Sequence, residues 1–303
     1  MKKNITAILT EGLDIWKNNL ILGIPPLLDL IIQYALWILF FVVSFGVLIL
    51  FLGLGAGSAF LMEDIEDVEA IFAMVGSMGA ALFIWSLFLI LTIVISIVID
   101  MFFKAGLIGM AKETIGSGKS DLSAMTDYGK RKWLTLFFAN LIVFAVAVLP
   151  LLIVGIILLI LFIMGYSSGF DLSGGSGLYA ALLIFAAIML WIFYVIVISI
   201  ILAVVDYAVV ISGRGAIDAV MSSFRFFMKN KFDVFLIWLV VLIVSLFFFC
   251  IYLGVQMLLG FIPIIGTIIG LFVEIIYYGF LAFVVTPVIT LWWSLLYIDR
   301  EIK

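Results

Sequence analysis

A chain of 303 residues that is 67% hydrophobic and 11% charged lies far from soluble composition, in which about a quarter of residues carry charge. It has no histidine and a single cysteine, Cys250, which excludes Ser–His and Cys–His catalytic pairs, histidine-ligated zinc or haem, thiolate metal clusters and internal disulfides. The net charge of −4 matters less than the placement of the fifteen basic residues.

Hydrophobic runs predict six spans, near 25–54, 79–103, 133–163, 178–205, 232–259 and 267–297. Each is long enough to cross about 30 Å of hydrocarbon at about 1.5 Å per residue. None alternates as a strand would, and backbone polar groups in lipid must be satisfied within the segment, so the spans are helices. Ahead of the first span come Lys2, Lys3 and Lys17. Lys104, Lys112, Lys119, Lys130, Arg131 and Lys132 lie between the second and third, and Arg214, Arg225, Lys229 and Lys231 between the fourth and fifth. Arg300 and Lys303 close the sequence, while 55–78, 164–177 and 260–266 carry no base. Basic segments stay cytoplasmic during insertion, which puts both termini in the cytoplasm of a multi-pass cell-membrane protein. The first apolar run is too long for a cleaved signal peptide and lacks a small-residue cleavage site.

In chain order, an amphipathic stretch comes first. Pro25-Pro26 then opens span one, with Asp29 in or near its first turn and Gln33 sharing its face. The first outward connection carries an acidic cluster, Glu63, Asp64, Glu66, Asp67 and Glu69. Span two ends on Asp100, four residues before Lys104, a spacing that favours an ion pair. The following GSGKSD (116–121) imitates the end of a phosphate loop. Glu113 stands where that loop needs its first glycine, and a membrane helix precedes it, so it is a polar turn. Pro150 kinks span three. A Gly/Ser-rich connection with Asp171 leads to span four, which ends on Asp206, about two turns from Arg214. GRGAID (213–218) repeats the G-x-G-x-x-D of 116–121: the glycines end one helix and the aspartate caps the next.

In 216–231, Ile217, Val220, Met221, Phe224, Phe227 and Met228 recur at helical spacing, with Arg225, Lys229 and Lys231 off that face, as in an interfacial helix on anionic headgroups. Span five follows. GFIPIIG (260–266) makes a tight turn, and span six holds Glu274, which has no base nearby in sequence, and Pro287, which kinks it. The spacings Gly53/Gly57 and Gly266/Gly270 allow close helix approach.

The three joins ahead of spans one, three and five are alike: Leu9-Thr10 before Lys17 and Leu20, Leu122-Ser123 before Lys130 and Trp133, Met221-Ser222 before Lys229 and Phe232. This self-similarity points to duplication of one unit, with copies at about 4–116, 117–212 and 213–303. The expected fold is an all-α integral membrane six-helix bundle in one domain, 1–303. It is built as three helical hairpins, each preceded by a cytoplasmic amphipathic interfacial helix.

The segment VVDYAVVISGRGAIDAVMSSFRFFMKNKFDVFLIWLVV (204–241) joins a span end, a glycine turn and an A-x-x-A-x-x-x-S-x-x-x-x-x-x-[KN] helix to the next span, and 106–149 has the same outline. This resembles a broad family of six-span prokaryotic and archaeal membrane proteins of unknown function, which includes the membrane domain attached to some glycerophosphodiester phosphodiesterases. The resemblance carries no site residues, and nothing here matches the phosphodiesterase catalytic domain.

An ionised group within the bilayer is costly, so Glu274, Asp29, Asp100 and Asp206 are the candidate intramembrane polar site. The aspartates in VIDMFF and VVDYAV lack the GxGD context of intramembrane aspartyl peptidases. Lys17, Lys130, Arg131, Lys132, Arg225, Lys229 and Lys231 are the candidate lipid-headgroup contacts. The expected function is non-catalytic, without cofactor, metal or nucleic acid: a membrane scaffold, partner subunit or lipid-organising element, alone or as a homo-oligomer. A small permease or channel using the intramembrane carboxylates is the alternative, although no mid-span helix break is visible.

Overall fold

The computed structural model describes residues 2–60, 68–167 and 175–302. The acidic residues at 63–67, and Asp171 with most of the Gly/Ser-rich connection, lie outside the described residues. Every described element is helical: α1 Ile5–Asn18, α2 Ile24–Phe60, α3 Val68–Ser117, α4 Leu122–Ser167, α5 Gly175–Ile201, α6 Val205–Val210, α7 Ala216–Lys229, α8 Lys231–Gly260, α9 Ile265–Phe280 and α10 Thr286–Tyr297. Among the described residues, six helical segments are long and apolar enough to cross a membrane: Leu20–Leu50, Leu82–Ser117, Leu122–Ile156, Ile184–Val210, Lys231–Gly260 and Ile265–Glu301.

The joins explain which amphipathic stretches become separate helices. Asn19 stops α1 with φ −139°, and Asn230 stops α7 with φ −132°. Asparagine competes with the helix through local side-chain hydrogen bonds, and both side-chain amides donate to the carbonyl four residues back. The second join has Lys130-Arg131-Lys132 instead, good helix formers, and α4 runs through it unbroken. The second amphipathic stretch is therefore the opening of α4 and no separate helix, unlike the expected three-fold plan. The G-x-G-x-x-D turns also diverge. Gly118 and Gly213 hold φ of +81° and +70°, as chain-reversing glycines should. Asp121 precedes α4 as a cap, whereas Asp218 lies inside the first turn of α7 behind Gly215.

The basic joins and both termini meet at one end. The Lys3 N–H donates to Asp299 at 3.0 Å, and Arg300 pairs with Asp233 at the start of α8 at 2.8 Å, bonds Asp299 and donates to Lys3 O at 2.8 Å. Arg214 pairs with Glu301 at 2.7 Å and bonds Ser222, while Lys112 donates to the Ile211 carbonyl after α6 at 2.9 Å.

The tight core sits at this end as well. Ile8 of α1, Ile108 of α3, Leu136 of α4, Phe226 of α7, Ile237 of α8 and Leu296 of α10 are fully buried together with Val204 and Val205. A second cluster joins Leu22, Leu107, Met110, Met125 and Leu291. Glycines let α3 and α4 approach closely: a Cβ on Gly109 would stand 2.2 Å from the Tyr128 ring, and one on Gly129 2.7 Å from the Phe102 ring. At the opposite end Gly266 packs against the Leu259 carbonyl, and Gln256 donates to Gly270 O at 3.0 Å, so that glycine pair seats α9 on α8.

Span six is not continuous α-helix. Leu281–Val285 is a π segment between α9 and α10, a helix break just ahead of Pro287, where the sequence predicts only a kink. Pro287 follows it and has no N–H to offer Phe283 O, four residues back. The Trp16 indole of α1 donates to that carbonyl at 3.3 Å. Pro150 leaves Val146 O in the same position inside α4; the Tyr194 hydroxyl donates to it at 2.9 Å, and Trp191 donates to Ala147 O at 3.0 Å. Aromatic donors on neighbouring helices thus satisfy backbone groups that the prolines release, as membrane helices require.

Candidate functional site

The structure brings three of the four candidate carboxylates into one region where α2, α3, α4 and α6 adjoin, and leaves the fourth apart. On α2, Gln33 donates to Asp29 at 3.3 Å and to the Ser96 carbonyl of α3 at 2.8 Å, and the Ser96 hydroxyl bonds the Gln33 amide oxygen. Asp29 and Gln33 share a helical face because they are four residues apart. Asp100, one turn beyond Ser96 on α3, faces the same space. Asp29, Gln33, Ser96, Ile97 and Asp100 line an open lateral notch of about 350 Å³.

One turn further along α3, Lys104 pairs with Asp206 of α6 at 2.5 Å. Asn140 of α4 donates to the other Asp206 oxygen at 2.8 Å, so that carboxylate holds a lysine and an amide. This corrects the expected pair of Lys104 with Asp100: Lys104 pairs with Asp206 instead. A within-helix pair at four residues gains only about 0.2–0.5 kcal/mol. Asp206 offers Lys104 a partly buried partner already braced by Asn140, and Arg214 is engaged by Glu301. The region therefore sets one lysine against three aspartates, with Asp100 standing in coulombic reach of both Lys104 and Asp206.

Glu274 of α9 does not join them. It is half-buried, makes no ion pair among the described residues, and lies within coulombic reach of Tyr34. Around it Tyr252 and Tyr277 stack at 4.4 Å, with Tyr278 edge-on to Tyr277 at 5.3 Å.

Most of the basic residues fall into two sets. Lys104, Lys112, Arg214 and Arg300 are turned into the protein by the bonds given above, while the Lys3 side chain bridges to Glu11 at 2.5 Å. Lys17, Lys130, Arg131, Arg225, Lys229 and Lys231 are exposed and Lys132 half-exposed, with no ion pair among the described residues. Sequence reading missed Ser96, Asn140, Trp16, Trp191 and Tyr194. Asn140 and Ser96 carried a signal, as isolated hydrogen-bonding groups in apolar runs. The aromatic donors carried none, since nothing local links Trp16 to a carbonyl 267 residues away.

The arrangement contains a braced ion pair and an adjoining polar notch. No curated protein and no solved structure matches the chain. A family model matches residues 88–298, from within span two to the end of span six, and so covers both joins of the α3–α4 and α6–α7 type. By that match the chain belongs to the family described as Domain of unknown function (DUF7847).

Proposed function

We propose that this chain is a non-catalytic membrane scaffold, its basic end in the cytoplasm, which holds lipids or a partner subunit around a rigid base. The observation that carries this reading is the division of the basic residues. One set is spent inside the protein, tying both termini, α3, α6 and α8 together; the other set is exposed and unpaired among the described residues. Exposed cations beside apolar spans suit anionic headgroups or an acidic partner surface. The chain's lack of histidine supports the non-catalytic part. The resemblance of 204–241 to the membrane domain attached to some glycerophosphodiester phosphodiesterases supports the partner-subunit form.

A small permease is the second reading, favoured by the notch at Asp29 and Asp100 and by the single lysine among three aspartates. Native mass spectrometry of the protein extracted from its own membrane in a mild detergent separates the two. The expected result is a stoichiometric anionic phospholipid or a retained protein partner. A bare chain that conducts a cation in liposomes, with flux abolished by Asp100→Asn at unchanged thermal stability, would overturn the scaffold reading.

A further inference from the structure

Of the three basic amphipathic stretches, we infer that α7 is the one that lies in the membrane plane as a shelf for anionic phospholipids. This rests on the reading of the chain as a lipid-holding membrane protein and names the surface responsible.

The position of α7 follows from its packed side. Ala219, Ser222, Ser223 and Phe226 are buried. The Ser223 hydroxyl donates at 3.0 Å to the carbonyl of Ile201, the last residue of α5, and Phe226 stacks on Tyr297 at 5.4 Å. The helix therefore lies across the C-terminal end of α5, at the level where that helix stops. Small side chains on this side let it sit close.

The opposite side is apolar and uncovered. Ile217 is 65% exposed, Met221 48%, Phe224 49% and Met228 50%, and their three- and four-residue steps place them in one stripe. Val220 and Phe227, which sequence periodicity assigned to the same face, are half-buried against the protein instead. Past the Asn230 break the stripe runs on into Phe232, 82% exposed, and then Phe235 and Leu236 on α8. The apolar surface of α7 is thus continuous with the outer surface of the fifth span, and one medium covers both. Arg225, Lys229 and Lys231 stand exposed beside it without ion pairs among the described residues. Apolar residues in the acyl region with cations at phosphate level are the two halves of an interfacial helix site. Charge complementarity selects anionic phospholipid over zwitterionic.

The other two stretches lack this arrangement. α1 gives its apolar side to α10, with Gly12 against Trp292 and the Trp292 indole donating to Leu9 O at 3.0 Å; it leaves exposed Thr6, Ala7, Thr10, Asp14, Lys17 and Asn18 and, of its large apolar residues, Leu13 at 38%, so no apolar stripe forms. The second stretch is the start of α4 and buries Ala124, Met125 and Gly129.

The test uses the full chain in nanodiscs of phosphatidylcholine with and without phosphatidylglycerol. Met221→Cys and Thr10→Cys, each in a Cys250→Ser background, carry a fluorophore. The label at 221 is expected to be quenched by a lipid-borne quencher and shielded from an aqueous one, and the label at 10 to show the reverse. Arg225→Glu, Lys229→Glu and Lys231→Glu together are expected to lower the preference for phosphatidylglycerol, read by native mass spectrometry, by at least about tenfold. Equal aqueous quenching at 221 and 10 would overturn the inference. So would shielding at 221 from both quenchers, which would mean that protein covers the stripe, and so would an unchanged lipid preference in the triple variant. The labels report on the unaltered cations, so a triple variant that fails to fold leaves the test decisive. A chain that retains a partner subunit yet exposes position 221 to water keeps the scaffold reading and loses this one.

Discussion

The two ends of this helix bundle are built differently. At the basic end Ile8, Leu136 and Leu296 have no exposed surface, and the Arg300–Asp233 ion pair ties the C-terminal segment to α8. In the far halves of the same spans, Phe83 is 69% exposed, Phe185 60%, Leu190 70% and Met257 72%. The basic end is the less apolar of the two in sequence, so hydrophobicity does not account for its tighter packing. What differs is the presence of short elements. α1 and α7 pack on α6 and the end of α10 at the basic end and give the apolar residues something to pack on. Where only spans are present, small residues and side-chain donors must bring helices together, because apolar contact with a neighbour gains little over contact with lipid.

The sharpest way to break the contrast is to force the two helices of the tight end apart. Gly109→Val would put a side chain where a Cβ alone already meets the Tyr128 ring at 2.2 Å, beside its Cβ and Cγ, which cannot swing aside. Overpacking of this kind costs about 3 kcal/mol. Ile153→Ala on α4, at a position 50% exposed, is expected to cost about 0.5 kcal/mol or less. Thermal unfolding midpoints in the same detergent compare the two. Equal losses would mean that the far half is as tightly held as the basic end.

A smaller effect is expected at the ion pair that closes the tight end toward the membrane. Lys104→Met leaves Asp206 a partly buried carboxylate with only Asn140 to bond it. Removing one partner of a buried pair is worse than removing both, so the single change should cost about 2 kcal/mol and Lys104→Met with Asp206→Asn should recover most of it. Urea or heat unfolding of the single and double variants measures this. A double variant as unstable as the single one would sink the account of Lys104 as the partner that Asp206 needs.

The spans and the clustering of bases were legible because both are properties of composition along the chain. Asp29 with Gln33 was legible because helical spacing alone puts them on one face. The partner of Asp206 was not. Lys104 had Asp100 at an ideal distance along its own helix, and only the crossing of α6 behind α3 offered it something better. The merging of the second amphipathic stretch into α4 was legible in principle, in Lys130-Arg131-Lys132 against Asn18-Asn19 and Asn230, the residues at which three otherwise similar joins differ. The isolation of Glu274 was not legible, since burial within a span says nothing about which neighbour a side chain meets.

The gentlest perturbation falls on the donors that repair the prolines, in the looser part of α4. Tyr194→Phe removes one hydroxyl and keeps the ring, so the Val146 carbonyl loses the donor that reaches it from α5. Interhelical hydrogen bonds in membranes contribute about 0.6 kcal/mol on average, and a loss near that size is expected. The cause is separable from a general loss of packing. In a Pro150→Ala background, residue 150 regains an N–H that closes the helix bond to Val146 O, and the carbonyl no longer needs Tyr194. Tyr194→Phe should then be neutral, and the double-mutant cycle should return a coupling close to the whole single-variant effect. A Tyr194→Phe loss that is the same with alanine as with proline at 150 would show that the hydroxyl serves something other than the carbonyl the proline releases.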